Sequence, residues 1–223
     1  MMNNLFSIFD PSTSMSYSLN WLSMIYVMLF MPMIYWLIPS QWNYFFQLIF
    51  NIIMNEMIML LKYKENIINM IYLMSIFFLL LLNNFMGMFS YIFTASAHMS
   101  VNMSMSMFLW LNLMIFGWSF KTNQMFYHLV PQGTPSVLMS FMVIIETISN
   151  LIRPGTLAIR LSANMIAGHL LMTLISSVCP LLQLLPMFSV TLIQTILIIL
   201  ELSVSVIQAY VFMTLITLYM AEL

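Results

Sequence analysis

The sequence predicts an all-α, polytopic membrane protein of about five membrane-embedded helices and one interfacial helix. Of its 223 residues, 63% are hydrophobic and 5% charged, whereas soluble domains carry about 25% charged residues. Five Lys/Arg and six Asp/Glu cannot cover a soluble surface, so most of the surface must face lipid. The apolar residues also fall in long runs, near or beyond the roughly 20 residues that a membrane helix needs. One membrane domain, 1–223, follows, and the net charge of −1 argues against nucleic acid as a partner.

The first apolar segment, 20–38, has Trp21 and Trp36 near its ends and Pro32 inside. Tryptophans at both ends suit interfacial belts. Residues 41–66 interleave Gln41, Asn43, Gln47, Asn51, Glu56, Lys62, Lys64 and Glu65 with apolar side chains, as a helix lying in the interface does. Residues 67–118 hold two spans, about 67–92 and 99–118. A polar connection from Lys121 to Thr134 ends on Thr134-Pro135, an N-cap followed by proline at the first helical position.

Two long segments, 135–179 and 186–221, complete the chain. At about 1.5 Å per residue the first would reach roughly 67 Å, over twice the roughly 30 Å hydrocarbon thickness. It either tilts strongly or breaks at Pro154-Gly155, and the residues alone leave both open. With five crossings, the 41–66 and 119–134 connections share a side, which gathers Lys62, Lys64 and Lys121. Basic residues collect on the matrix or cytoplasmic side. The N-terminus then faces the opposite compartment, the Arg160 segment runs away from the basic side, and the last helix returns to it.

Arg160 is the most costly residue of the chain. A guanidinium stays charged at any cellular pH, and near a bilayer centre it costs about 2.5–3.5 kcal/mol on insertion scales. At about 100° per residue, Glu146 lies at about +40° from it, Ser149 at −20°, Arg153 at +20° and Asn164 at +40°. These form one polar stripe, provided the helix keeps phase through Pro154-Gly155. Ala163 and Ala167 share that face, and small residues let a second helix approach closely. The Arg160 face therefore suits a near-contact partner better than a wide aqueous pore. His169 falls on the opposite face, at about 180°, and suits an access route behind that surface.

In the last segment Glu201 and Gln208 are seven residues apart and share a face, with Ser205 between them. Glu201 lies about fifteen residues past Pro186, at mid-membrane depth, where a carboxylate could load and release protons. Plainer roles compete. Arg160 could be a structural ion pair with Glu146 or Glu201, Glu146 could pair with Arg153, and Gln208 could join helices. His98 and His128 sit at segment ends, where surface polarity accounts for them. Three scattered histidines and the single Cys179 give no haem, metal or disulfide framework. No cofactor is expected, and the chain holds no phosphate loop or nucleophile–base set. Met1–Asn20, free of basic residues, reads as neither a secretory signal nor a transit peptide.

Leu157-Ala-Ile-Arg160-Leu-Ser-Ala-Asn164, Gly168-His169-Leu and Ile207-Gln208-Ala-Tyr210-Val-Phe212 resemble the a subunits of F-type ATP synthases, mitochondrial type. Pro131-Gln-Gly-Thr-Pro135, Ile144-Ile-Glu146-Thr-Ile-Ser149 and the opening Met-Asn-Asn-Leu-Phe are similar too. The resemblance covers nearly the whole chain, although 15–60 match only in hydrophobic character. It implies two long tilted helices, 135–179 and 186–221, forming a hairpin against a ring of c subunits. Arg160 would be the fixed cation facing the ring carboxylates, with Asn164 and Gln208 nearby and Ala163 and Ala167 packing on the ring. His169 and Glu201 would line one half-channel, from the intermembrane space, and Glu146 the other, on the matrix side. Bacterial relatives exchange the acid and the histidine of that first pair.

The function implied is proton translocation coupled to ATP synthesis, through two offset half-channels and without ATP chemistry in this chain. The implied partners are the c-ring, other membrane-sector and peripheral-stalk subunits, and the bilayer. The implied location is the mitochondrial inner membrane, with the N-terminus toward the intermembrane space and the C-terminus toward the matrix. The 27 methionines and seven alanines match the usage of an AT-rich organellar genome. Two other readings compete: a structural subunit of a respiratory complex that passes no protons, and a secondary transporter. A transporter should show two related halves with broken helices, and only Pro154-Gly155 interrupts a segment.

Overall fold

A computed structural model describes residues 5–14, 16–32, 35–61, 68–89, 91–130, 138–179 and 183–222. Among them the secondary structure is all-helical: α1 (Leu19–Phe30), α2 (Gln41–Leu60), α3 (Ile68–Gly87), α4 (Met99–Phe120), α5 (Thr122–Leu129), α6 (Met139–Val178) and α7 (Leu184–Glu222). Short 3-10 turns cover Leu5–Phe9 and Ala95–Ala97. Among the described residues four helices are long and apolar enough to cross a membrane: α3, α4, α6 and α7. Lys62, Lys64, Glu65 and the Thr134-Pro135 helix start lie outside the described residues.

The first apolar segment makes a shorter helix than 20–38. It ends at Phe30, where Met31 turns extended at φ −68°, ψ 123°. Pro32 is the cause: its ring disfavours helical geometry at the preceding residue, and it has no N–H to continue the ladder. Ser40 then caps α2, its hydroxyl accepting from the Asn43 N–H at 3.4 Å. The polar stretch after Lys121 also differs from a plain connection. Lys121 leaves helical geometry at φ −127°, ψ 42°, and the chain winds again as α5.

α6 runs unbroken for 40 residues with Pro154 inside it, about 60 Å. The proline forfeits one backbone hydrogen bond and is buried where α6 meets its neighbours. Packing holds what propensity would break. α7 is 39 residues long and tolerates Pro186 in its first turn, where the amide would have no intrahelical partner. Each of these two helices is about twice the hydrocarbon thickness, so within a bilayer it must lie steeply tilted.

α6 packs against α4 on one side and α7 on the other, α7 against α3, and α2 against both α3 and α7. α3 is the most buried of the four long helices. The core joins Met70, Leu73, Met74 and Phe77 of α3 to Phe212, Met213 and Ile216 of α7, Leu157 and Leu161 of α6, and Met57 of α2. Methionine, unbranched and polarizable, fills the uneven gaps between inclined helices. Outside this core the large side chains of α6 and α7, such as Ile148, Leu151, Ile159, Ile193 and Ile196, are exposed, as lipid-facing residues are.

Candidate functional site: ionisable groups on two long helices

The face of α6 turned toward α7 lies between Asn164 and His169. Gly168, at about 80° from Arg160, is nearest to α7: a Cβ built on it would meet the Glu201 carboxylate, 2.6 Å from Oε1 and 2.8 Å from Cδ. Asn164 and His169 flank this line, and both reach α7. The Asn164 Nδ2 amide donates to Gln208 Oε1 at 3.1 Å. His169 Nε2 lies 3.7 Å from Glu201 Oε1, and neither atom has a hydrogen-bond partner among the described residues, although both are buried. Such a pair is loosely coupled and open to a water or a proton between its members. A cavity of about 200 Å³ beside it is lined by Asn164, Ala167, Gly168, Glu201 and apolar residues of both helices.

Arg160 stands apart from these pairs. It is exposed, and so are Asn164, Ala163 and Ala167 on the same face. Among the described residues Arg160 has no hydrogen bond or ion pair, and the two carboxylates that could have balanced it have other neighbours. Glu201 faces His169. Glu146 lies one helical stretch away, its Oε1 3.6 Å from Arg153 Nη2, and the Arg153 guanidinium stacks 4.8 Å above the Tyr219 ring centroid. A second cavity, of about 370 Å³, opens there among α4, α5, α6 and α7, with Glu146, Asn150, Arg153, His128 and Trp118 on its walls.

Along α6 the three groups are therefore separated. Glu146 precedes Arg160 by about 21 Å and His169 follows it by about 14 Å, at 1.5 Å per residue. Two cavities with ionisable walls lie at different depths, and a lone exposed cation lies between them.

Several residues here were not singled out in the sequence. Gly168 makes room for a carboxylate that only the fold brings near. His98 is not simple surface polarity: its ring packs 5.0 Å from Trp21 and 5.2 Å from Phe93, and its Nε2 is buried without a partner. Both amide atoms of Asn84, with Thr94 Oγ1 and Ser96 Oγ, are also buried and unpartnered among the described residues. Paired asparagines, Asn83-Asn84, inside an apolar span were the available signal, because buried amides need partners.

The fold and these groups define a class: a polytopic helical membrane protein that carries ionisable side chains at staggered depths on two long packed helices. The ATP synthase A chain family profile matches residues 17–221. ATP synthase subunit a of Locusta migratoria is 51% identical over 223 residues, covering 100% of this chain and 99% of the relative. The subunits of Drosophila yakuba, over 222 residues, and Aedes aegypti, over 228, are each 50% identical with the same coverage. The chain belongs to the ATP synthase A chain family. It is a proton-translocating membrane subunit of the ATP synthase complex and carries no ATP chemistry itself. Neither the respiratory-subunit nor the transporter reading survives that assignment.

Proposed function

We propose that Arg160 is the fixed charge against which a c-subunit ring turns, and that the two cavities of α6 and α7 are the two offset half-channels. The observation that carries this reading is an exposed Arg160, unpaired among the described residues, on a face of small residues, with ionisable pairs to either side at different depths. A stable protein does not leave a guanidinium in that setting without a partner to meet it.

A proton enters past His169 and Glu201 and neutralises a ring carboxylate. A neutral carboxylic acid can face lipid, whereas an ionised one cannot without a large desolvation cost. The ring therefore rotates so that ionised sites stay near Arg160 and the aqueous cavities. Arg160 stabilises the arriving site as a carboxylate and repels protons that would leak from one half-channel to the other. Asn164 and Gln208 hold the ring-facing edge of α6 on α7. Glu146 takes the released proton on the far side. Each charge crossing yields about 2.3 kcal/mol per 100 mV, which rotation delivers to the catalytic head.

In this reading the chain lies in the mitochondrial inner membrane. The N-terminus, residues 91–98 and the C-terminal end of α6 face the intermembrane space; Lys121 and the C-terminus face the matrix. The remaining partners are membrane-sector and peripheral-stalk subunits. Cysteines placed at Ala163 and Ala167 test the ring assignment: both should cross-link to a small hairpin subunit in the assembled complex. Efficient cross-linking to lipid-facing probes, with none to such a subunit, would reject it.

A further inference from the structure

The N-terminal segment folds back onto α6. Its 3-10 turn Leu5–Phe9 contacts that helix, and the Phe9 ring meets the His169 ring edge-on, centroids 6.3 Å apart. The next residue is Asp10, exposed and the only acidic residue before Glu56. Its carboxylate accepts from the Ser12 backbone N–H at 3.2 Å and the Ser12 hydroxyl at 2.9 Å. Those two bonds, the backbone one first, hold it below the ordinary carboxylate range, so it stays ionised at any working pH.

The segment is tied down beyond Asp10 as well. Asn20 Nδ2 donates to the Asp10 carbonyl at 3.3 Å. Thr13 Oγ1 donates to the Tyr17 carbonyl at 2.9 Å, and Trp21 packs on Phe93 and His98. Asp10 is thus held at one end of the helices. The other described histidines and carboxylates at that end are His98, His169 and Glu201. Of the described cations, Lys121 and Arg153 lie at the opposite end and Arg160 lies midway along α6.

We propose that Phe9 and Asp10 form the outer rim of the proton inlet, Phe9 positioning the His169 ring and Asp10 supplying a fixed negative charge that gathers protons and hydrated cations in front of it. Ionised groups at a cleft mouth raise local counter-ion concentration, and salt removes the effect. The inference rests on His169 and Glu201 being the inlet.

The test is passive proton conductance of the assembled complex in liposomes, in weakly buffered, mildly alkaline medium where proton supply limits flux. Asp10→Asn should lower conductance by about two- to threefold at low ionic strength, the factor one unit charge about 6–10 Å away gives in water. Asp10→Lys should lower it further, Asp10→Glu should restore it, and all should converge on the parent in high salt. A purely structural role would not vanish with salt. His169→Leu is measured beside them. If it abolishes conductance while Asp10→Asn and Asp10→Lys match the parent at low salt, the rim assignment is overturned alone. If it conducts normally, the inlet reading falls and the rim with it.

Discussion

Glu201 rests its carboxylate against the bare Cα of Gly168, with Oε1 2.6 Å from where a Cβ would stand. Real Cβ atoms do not come so near, so a side chain at 168 must displace the carboxylate. Gly168→Ala should shift the flexible end of Glu201 off His169 and lower proton conductance several-fold in an assembled complex. Shortening the acid should relieve the clash. The double variant Gly168→Ala, Glu201→Asp is expected to conduct better than Gly168→Ala alone. Equal conductance in parent and Gly168→Ala would show that the position of Glu201 does not matter.

Arg160 supports nothing among the described residues of its own chain. It is exposed and unpaired among the described residues, so Arg160→Ala should leave assembly and the melting midpoint of the solubilised complex unchanged. ATP-driven pumping and proton-driven synthesis should both be lost. Normal coupling in an assembled Arg160→Ala complex would refute its role. Loss of assembly would make it a structural cation instead.

An imidazole can take up a proton on one nitrogen and release it from the other, which suits His169 to a relay role. His169→Phe keeps an aromatic ring for Phe9 to pack on and removes the titrating nitrogen. Proton flux through the variant should fall, and what remains should lose its dependence on pH near neutrality. An unaltered pH profile would leave the histidine as packing only.

Much of this arrangement was legible from helical phase. The 100° rule put Asn164, Ala163 and Ala167 with Arg160 and turned His169 away, because each of those relations is local to one helix. Continuity through Pro154 was not legible. Propensity favours a break there, and only burial of Pro154 against neighbouring helices opposes it. Gly168 against Glu201 and Phe9 against His169 join residues 33 and 160 positions apart. No local pattern encodes contacts of that span. The short first helix is the opposite case. Pro32 was in view, and its effect on Met31 is a local rule that outweighed the apolar run around it.

The hydrogen bond that the Asn164 amide donates to Gln208 has a smaller expected effect. Interhelical hydrogen bonds in membranes average about 0.6 kcal/mol by double-mutant cycles. Asn164→Leu and Gln208→Leu should therefore each destabilise the solubilised complex slightly, with a coupling near that value. A coupling of zero in thermal unfolding would mean that the 3.1 Å contact does not hold the hairpin.

Glu146 and Arg153 can be separated by the partner that each can do without. If Glu146 releases protons from the ring, Glu146→Gln should slow flux even though glutamine keeps the size of the side chain. Arg153→Met should leave flux largely intact. It still removes the 3.6 Å ion pair and the stacking on Tyr219, so its cost should appear in stability, about 0.5–1 kcal/mol for an exposed cation–π contact. Flux through both variants and thermal unfolding of both complexes decide between the two roles. Equal loss of flux in the two variants would make the pair a unit. Unchanged flux with lowered stability in both would make it a clamp between α6 and α7, and the proton would need another way out.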